Sequence, residues 1–423
     1  MLAIHGASAA ANPPGISIAT DVNLNIHDKT NASGVSVILG AVTTNLPEGQ
    51  STKLTAQLSG GFSSAKKILI TLDKETTGTE AAISDFSWVN GIQQIELPAY
   101  TTGVYTSASD MITAATDQVI EKDELLIIKG TNNTYTVNNT QLTIEDKTRR
   151  DPNNTKLVIS TGLTTVPEDN STTVTVSLPP GITTEIPIKT DLSAITGTAT
   201  PVADFQLDNA VTITAASPIA TATLAVIKDG LVENQEDLTV TPVITDDYHT
   251  PYTSDKTTLS FIIPDREYPL LATNPIALTA TPSSIQENIL PGAAITATLP
   301  NGWTTAIDLD VLLSRNSAST AAIGRHSTIP PKITITPGTD HASAAITATD
   351  NDVLDDDADL IIDANAGNTT LPVNSATIHI QDNTINKPGA KDLVFTANKT
   401  LVPEGEKISV TVSRQYTSAK KIT

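Results

Sequence analysis

The 423-residue sequence predicts an all-β protein made of antiparallel β-sandwiches in tandem. Apolar and polar side chains alternate along short segments, as where Val174, Val176 and Leu178 alternate with Thr and Ser. This period of two indicates half-buried strands. Thr, Val and Ile, which favour strands, fill these segments, and turn residues separate them. With only 5 Phe, 7 Tyr and 2 Trp, the cores must consist mainly of aliphatic side chains and Thr methyl groups.

Two recurring acidic residues divide the chain into repeats. One is a glutamate that precedes a strand, and its copies are 120, 119 and 117 residues apart: Glu48, Glu168, Glu287 and Glu404. The other is an aspartate that closes a strand, and its copies are 118, 119 and 117 residues apart: Asp28, Asp146, Asp265 and Asp382. Two independent landmarks with one period predict a structural repeat.

We predict three complete repeats, at residues 31–148, 149–266 and 267–384, of which the third is divergent. Residues 1–30 are expected to be the C-terminal strands of a partial repeat and residues 385–423 the N-terminal strands of another, as in an excerpt from a longer array. A unit of about 118 residues with some seven strands has the size of an immunoglobulin-like sandwich. Because the links are short, the repeats are predicted to stack end to end as a rod on the order of 100 Å long.

Composition excludes several classes of function. With 25 Lys+Arg against 46 Asp+Glu, the net charge of −21 opposes binding to nucleic acid. The absence of cysteine excludes disulfides, thiolate zinc sites and cysteine nucleophiles. No segment reaches the ~18 to 20 apolar residues of a membrane-spanning helix. The six histidines share no metal-ligand spacing and no catalytic motif is present, so we expect no enzyme activity.

The second repeat carries a resemblance to a known family. It has a V-T-V-S-L strand at residues 174–178, a G-T-A-T turn at 197–200 followed by Asp204-Phe205, and the segment D-G-L-V-E-N-Q-E at 229–236. This order resembles a Calx-β domain. The first repeat is similar through Asp85-Phe86 and its acidic segment, whereas the third has Arg325-His326 in place of the D-F pair.

The resemblance implies calcium sites at one end of each sandwich. In the first repeat the implied ligands are Glu48, Asp85, Asp117, Glu121, Glu124 and Asp146. In the second they are Glu168, Asp204, Asp229, Glu233, Glu236 and Asp265. In the third they are Glu287, Asp350, Asp352, Asp355 and Asp382, with Ala358 where the other repeats have glutamate. Ca²⁺ takes about six to eight oxygen ligands, which such carboxylates supply. The alternative is that these acids are simply solvated loop residues.

Tandem Calx-β arrays occur in large bacterial cell-surface adhesins, including those of gliding bacteria. The resemblance therefore implies an extracellular stalk or filament segment that extends a binding tip from the cell. Its expected partners are further repeats of the same chain, with lateral contacts or contacts to surface proteins and glycans. Two alternatives remain open: a calcium-sensing regulatory module of a larger membrane protein, and an accessory stalk of a secreted enzyme.

Overall fold

A computed structural model describes residues 2–4, 22–24, 34–366 and 371–419. Within these ranges the regular structure is almost entirely strand, which confirms the all-β fold class. The one α-helix in them is the single turn Glu267–Leu270, and no described helix is long and apolar enough to cross a bilayer. Of the partial repeat predicted at 1–30, only the antiparallel pair Leu2–Ile4 and Val22–Leu24 is described, and Asp28 lies outside the described residues.

The first repeat consists of short strands in two main layers. Its strands are Ser36–Ala41, Asn45–Pro47, Ser51–Thr52, Leu54–Leu58, Ile68–Lys74, Phe86–Trp88, Gln94–Leu97, Tyr105–Thr106, Ile112–Ala114, Val119–Ile120, Glu124–Thr131, Thr136–Asn138 and Thr140–Glu145, with 3₁₀ turns at Ser59–Gly61 and Val89–Gly91. One sheet runs in the order 45–47, 140–145, 124–131, 68–74 and 94–97. The strands 105–106, 54–58, 36–41 and 136–138 form the sheet opposite, which the small sheet 51–52, 112–114, 86–88 extends.

The other two repeats also consist of short strands, in one five-stranded and two three-stranded sheets in the second and in one three-stranded and one five-stranded sheet in the third. The second has strands Lys156–Thr161, Ser171–Ser177, Thr183–Thr184, Ile188–Asp191, Ile195–Gly197, Phe205–Leu207, Ala210–Ile213, Ile219–Val226, Leu231–Val232, Glu236–Val240, Val243–Thr245, Thr253–Ser254 and Leu259–Ile263. The third has Ala277–Thr281, Ser284–Gln286, Ala293–Thr298, Thr304–Thr305, Leu309–Arg315, Lys332–Ile335, His341–Ile346, Val353–Leu354, Ala358–Ala366 and Leu371–Gln381, with 3₁₀ turns at Ile323–Arg325 and Thr384–Asn386. Beyond it lie Val394–Ala397, Val410–Ser413 and Thr417–Ser418.

The sandwiches are not antiparallel throughout. The opening segment of the first repeat crosses between the sheets, so that Ser36–Ala41 pairs in parallel with Thr136–Asn138 and Asn45–Pro47 pairs in parallel with Thr140–Glu145. Because strands at the two ends of a repeat run in the same direction, they can pair only in parallel. This pairing places the residue after Pro47 beside the end of the closing strand.

Each described repeat has its own aliphatic core. The three clusters of buried side chains lie within residues 37–144, 157–263 and 271–380. Two of them also contain a residue of the preceding repeat: Ile120 belongs to the second core and Val232 to the third.

Those two residues lie in parallel two-residue strand pairs, which we call bridges. Val119–Ile120 pairs with Thr183–Thr184, Leu231–Val232 pairs with Thr304–Thr305, and Val353–Leu354 pairs with Thr417–Ser418. Consecutive repeats are therefore joined by backbone hydrogen bonds as well as by the covalent link, and two of the bridges also share a core residue.

Candidate metal centre

Strand pairing brings the recurring glutamate to the recurring aspartate. In the first repeat Pro47 lies opposite Glu145, and the N–H of Glu48 donates to the Glu145 carbonyl at 3.1 Å. The third repeat repeats this geometry, since the N–H of Glu287 donates to the carbonyl of Gln381 at 3.2 Å. The glutamate thus lies beside the closing aspartate, at the end of the sandwich from which the bridge departs. We call this end the acidic tip of each repeat.

Two acids of each tip enclose the bridge. Asp117 and Glu121 flank Val119–Ile120, and the Asp117 carboxylate accepts the N–H of Val119 at 2.8 Å. Asp229 and Glu233 flank Leu231–Val232, and Asp229 accepts the N–H of Leu231 at 2.7 Å. The acidic tip and the inter-repeat junction are therefore one structure.

The closing aspartates hold these segments in place. Asp146 accepts the N–H of Glu121 at 2.9 Å, and Asp382 accepts the N–H of Asp355 at 3.2 Å. In the second repeat Asp265 accepts the N–H of Glu233 at 3.3 Å. The closing aspartate thus has the same backbone partner in all three repeats.

At the first tip several carboxylates converge. The cations beside them are Arg149 and Arg150, which pair with Asp123, and Arg149 also lies 3.9 Å from Asp146. Oxygens of Glu48, Asp117 and Glu121 lie within 4.8 Å of one another, and Glu48 and Glu121 are buried. Burial, followed by repulsion from Asp146, raises the pKa of Glu48 to about 7. Burial and the neighbouring Glu124 raise the pKa of Glu121 to about 8. Carboxyl groups with raised pKa values resist ionisation unless a cation binds between them.

The other two acids predicted at this tip form a second pair. Burial, followed by contact with Asp85, raises the pKa of Glu124 to about 8. One Glu124 oxygen is buried and accepts no hydrogen bond. All six acids predicted for the first repeat therefore lie in one electrostatically coupled group.

At the second tip the acids form two clusters. Oxygens of Asp204, Glu233 and Glu236 lie within 4.8 Å of one another. Burial and the adjacent Glu236 raise the pKa of Glu233 to about 7, and burial with Asp204 raises that of Glu236 to about 7. Burial also raises the pKa of Asp229, on which Asp204 acts as well.

The other cluster contains a residue that sequence reasoning missed. Glu168, Asp265 and Glu267 bring one oxygen each within 4.8 Å of one another. Glu267 is 0 % exposed, and neither of its carboxylate oxygens accepts a hydrogen bond from the described residues. Burial, followed by contact with Glu267, raises the pKa of Glu168 to about 9. The sequence signal for Glu267 is its position two residues after the closing aspartate, where the other repeats have the buried Thr148 and Thr384.

At the first two tips the buried carboxylate oxygens that accept no hydrogen bond are one each of Glu124, Glu168 and Glu236 and both of Glu267. Such oxygens, close to other carboxylates, fit a hard divalent cation. Ca²⁺ binds such oxygens in irregular geometry, and its charge offsets their mutual repulsion. The donor sets of the first and second tips therefore suit calcium.

The third tip is different, because an arginine lies among its acids. Arg325 is only 3 % exposed, and its Nε lies 2.8 Å from Glu287 Oε1. Its Nη1 lies 3.2 Å from Asp355 Oδ1 and donates to the carbonyl of Asp356 at 2.7 Å. Burial raises the pKa of Glu287, but the ion pair with Arg325 opposes that rise.

A lysine from beyond the third repeat neutralises the two remaining acids. The ammonium of Lys387 forms ion pairs with Asp350 and Asp352, and its hydrogen bond lowers the pKa of Asp350. All five acids predicted for this tip are thus held by protein groups, since Asp382 also accepts the N–H of Thr384 at 2.8 Å. Among the described residues, every group of three acids close enough to share an ion lies at the first or the second tip.

Comparison with known proteins gives fold-level likenesses alone. No protein-family model matches the chain, and no curated protein matches it. Among solved structures it is similar to the calcium-binding domains CBD12 of CALX1.2 and of CALX1.1, at 11 % and 9 % identity and TM-scores of 0.24 and 0.23. These alignments cover 54 % and 53 % of this chain and 99 % of each of those.

The D0-D1 domain of intimin is another similar structure, at 11 % identity and a TM-score of 0.18, with 53 % of this chain and 94 % of that one covered. The strand pairings of the chain itself define the fold.

Proposed function

We propose that this chain is a non-enzymatic structural segment of an extracellular cell-surface adhesin or filament stalk, whose repeats in series extend a binding tip from the cell. The bridges support this proposal, because a residue buried in the core of the next repeat restrains the angle between neighbours. Ile120 and Val232 do this at two successive junctions. The partners proposed are further repeats, with proteins or glycans at the surface that is bound.

We propose further that the first two tips bind Ca²⁺ and that the ion stiffens the junctions. One observation carries this: Glu267, fully buried, points two oxygens without donors into a cluster with Glu168 and Asp265. Glu168, Asp265 and Glu267, together with the cluster of Asp204, Glu233 and Glu236, would hold the ion or ions of the second tip. Glu48, Asp117 and Glu121 would do so at the first. The bound ion supplies positive charge, and by mass action it stabilises the folded repeat.

The test is calcium titration of the full chain by calorimetry, with thermal unfolding followed in Ca²⁺ and in EDTA. We expect binding and a higher melting temperature in Ca²⁺. Glu267→Gln removes one of the buried carboxylates, so it should raise the melting temperature in EDTA. It should also reduce the increase in melting temperature that Ca²⁺ produces. Glu96→Gln, at an exposed ion pair with Lys67, is the matched control and should leave both unchanged.

Equal melting temperatures in Ca²⁺ and EDTA would remove calcium from the proposal. Small-angle scattering tests the stalk separately, because a chain of sandwiches in series has a long maximum dimension. A dimension that is long in Ca²⁺ and shortens only slightly in EDTA, as the junctions lose stiffness, supports a stalk. One that changes strongly with calcium supports the regulatory-module alternative instead.

A further inference from the structure

The bridges share one hydrogen-bond pattern. In the second repeat the N–H groups of Thr183 and Glu185 donate to the carbonyls of Gln118 and Ile120 at 3.0 and 2.9 Å. The third repeat reproduces this pattern, since its residues 304 and 306 donate to the carbonyls of residues 230 and 232 at 3.2 and 2.9 Å. These two bridges therefore each consist of a donor edge, which offers two N–H groups, and an incoming segment. The incoming segment accepts with the carbonyl of the residue before its apolar pair and with the carbonyl of the second residue of that pair.

A threonine hydroxyl completes the donor edge. Thr184 Oγ1 lies 3.1 Å from the carbonyl of Ile120 and accepts the N–H of Ile186 at 3.1 Å. Thr305 Oγ1 has the same two contacts in the third repeat, at 3.1 Å from the Val232 carbonyl and 3.1 Å from the N–H of Ile307. Each hydroxyl also lies 2.7 Å from a carbonyl of its own segment, that of Ile186 or of Ile307. Its one hydrogen is therefore shared between that carbonyl and the carbonyl of the second incoming residue.

The first repeat has the same edge at residues 62–65. Phe62 follows Leu58 by four residues, as Ile182 follows Leu178 and Trp303 follows Leu299. Ser64 stands at the position of the threonine, and its hydroxyl accepts the N–H of Lys66 at 3.2 Å. Sequence spacing and local hydrogen bonding therefore both indicate that residues 62–65 form a donor edge.

This edge is open within the part of the chain that the structure describes. No described carbonyl accepts a hydrogen bond from the N–H of Ser63 or Ala65. Phe62 is 43 % exposed, whereas Ile182 at the same position of the second repeat is 6 % exposed. An apolar side chain beside free backbone donors is the condition under which a sheet edge recruits another strand.

We propose that residues 62–65 bind the bridge segment of another repeat of this type, in parallel register. The three observed segments define the ligand as an apolar pair followed by an acid: Val119-Ile120-Glu121, Leu231-Val232-Glu233 and Val353-Leu354-Asp355. The exposed Lys66 beside the edge complements the acid and its acidic tip. The surface is thus a docking site for one further repeat, and it does not depend on calcium at the first two tips.

Disulfide trapping on the full chain tests this proposal, because the protein has no cysteine of its own. The chain variant is Ser63→Cys, since Thr183 at the equivalent position lies opposite Val119. The probe is a synthetic peptide of residues 117–122 that carries cysteine in place of Val119. The matched control peptide also has aspartate in place of Ile120. Exchange proceeds in a buffer of reduced and oxidised glutathione, and the trapped fraction is measured by mass spectrometry.

We expect the probe to be trapped about tenfold more than the control peptide. Adding Phe62→Asp to the variant should abolish the difference, and so should moving the thiol to the exposed strand position Ser87. Hydrogen exchange at Ser63 and Ala65 should slow when the probe is bound. Equal trapping of the two peptides would show an unselective apolar patch and would overturn the proposal, as would unchanged exchange at these amides.

Discussion

Replacing Arg325 with methionine should destabilise the third repeat selectively. The substitution keeps an extended apolar side chain but removes the ion pairs to Glu287 at 2.8 Å and to Asp355 at 3.2 Å. Glu287 is 0 % exposed, so its charge would remain buried without a partner. Removing one member of a buried pair costs about 3–5 kcal/mol of unfolding free energy. With a urea dependence of about 2 kcal/mol per molar, the midpoint should fall by about 1.5–2.5 M.

Tryptophan fluorescence provides the assay. The chain contains two tryptophans, and Trp303 packs against the third core. In a Trp88→Phe background, urea unfolding followed by fluorescence therefore reports on the third repeat alone. The loss should grow as pH rises above 4.5, the ordinary pKa of a glutamate, because Glu287 without Arg325 is neutral only while it is protonated.

Two further variants make the reasoning refutable. Adding Glu287→Gln to Arg325→Met should restore most of the lost stability, because it removes the uncompensated charge. Lys332→Met is the control: Lys332 also lies 2.8 Å from an acid, Asp310, but that pair is exposed and should contribute less than about 1 kcal/mol. If Arg325→Met costs no more than Lys332→Met, Arg325 does not act as the internal cation of the third tip.

Two other predictions follow from the acidic tips and the bridges. In EDTA the melting temperature of the first two repeats should fall between pH 5 and 9, because the folded-state pKa values of Glu48 and Glu168, about 7 and 9, exceed the ordinary value of 4.5. Protonation of these groups favours the folded form at low pH, and this stabilisation is lost as pH rises. Saturating Ca²⁺ should remove the fall in melting temperature. A melting temperature that rises with pH in EDTA would contradict this account. Thr184→Val should cost the second repeat about 1–3 kcal/mol in chemical unfolding, since it deletes the bridge hydroxyl. Thr183→Val, whose side chain is exposed, should change stability by less than about 0.5 kcal/mol, and equal effects would refute the role of the hydroxyl.

Much of the architecture can be predicted from the sequence because a strand buries alternate residues. The alternation around Val174 and Val176 predicts a strand, and the structure has one at Ser171–Ser177. The period also predicts that Glu48, Glu168 and Glu287 occupy equivalent places, and all three lie buried beside their closing aspartates. The predicted repeat boundaries and calcium ligands stay predictions.

The sequence was less informative about contacts between residues that are far apart in the chain. The pair Val119-Ile120 inside an acidic segment predicts a buried strand but not that Ile120 lies in the core of the following repeat. Arg325 is visible in the sequence as a departure from the D-F pair, and only the fold shows that its guanidinium reaches Glu287, 38 residues earlier. Likewise Glu267 follows a closing aspartate by two residues, and only the fold shows that it faces Glu168 without a donor.

Local sequence therefore determined the strands, the repeat and the acidic character of each tip, because side-chain alternation and turn chemistry act over a few residues. Tertiary structure decided which tips carry uncompensated charge and which are neutralised by an arginine and a lysine. The physical reason is that burial and Coulomb interaction depend on distance in space, so acids of similar spacing acquire different pKa values and different partners once the strands have paired.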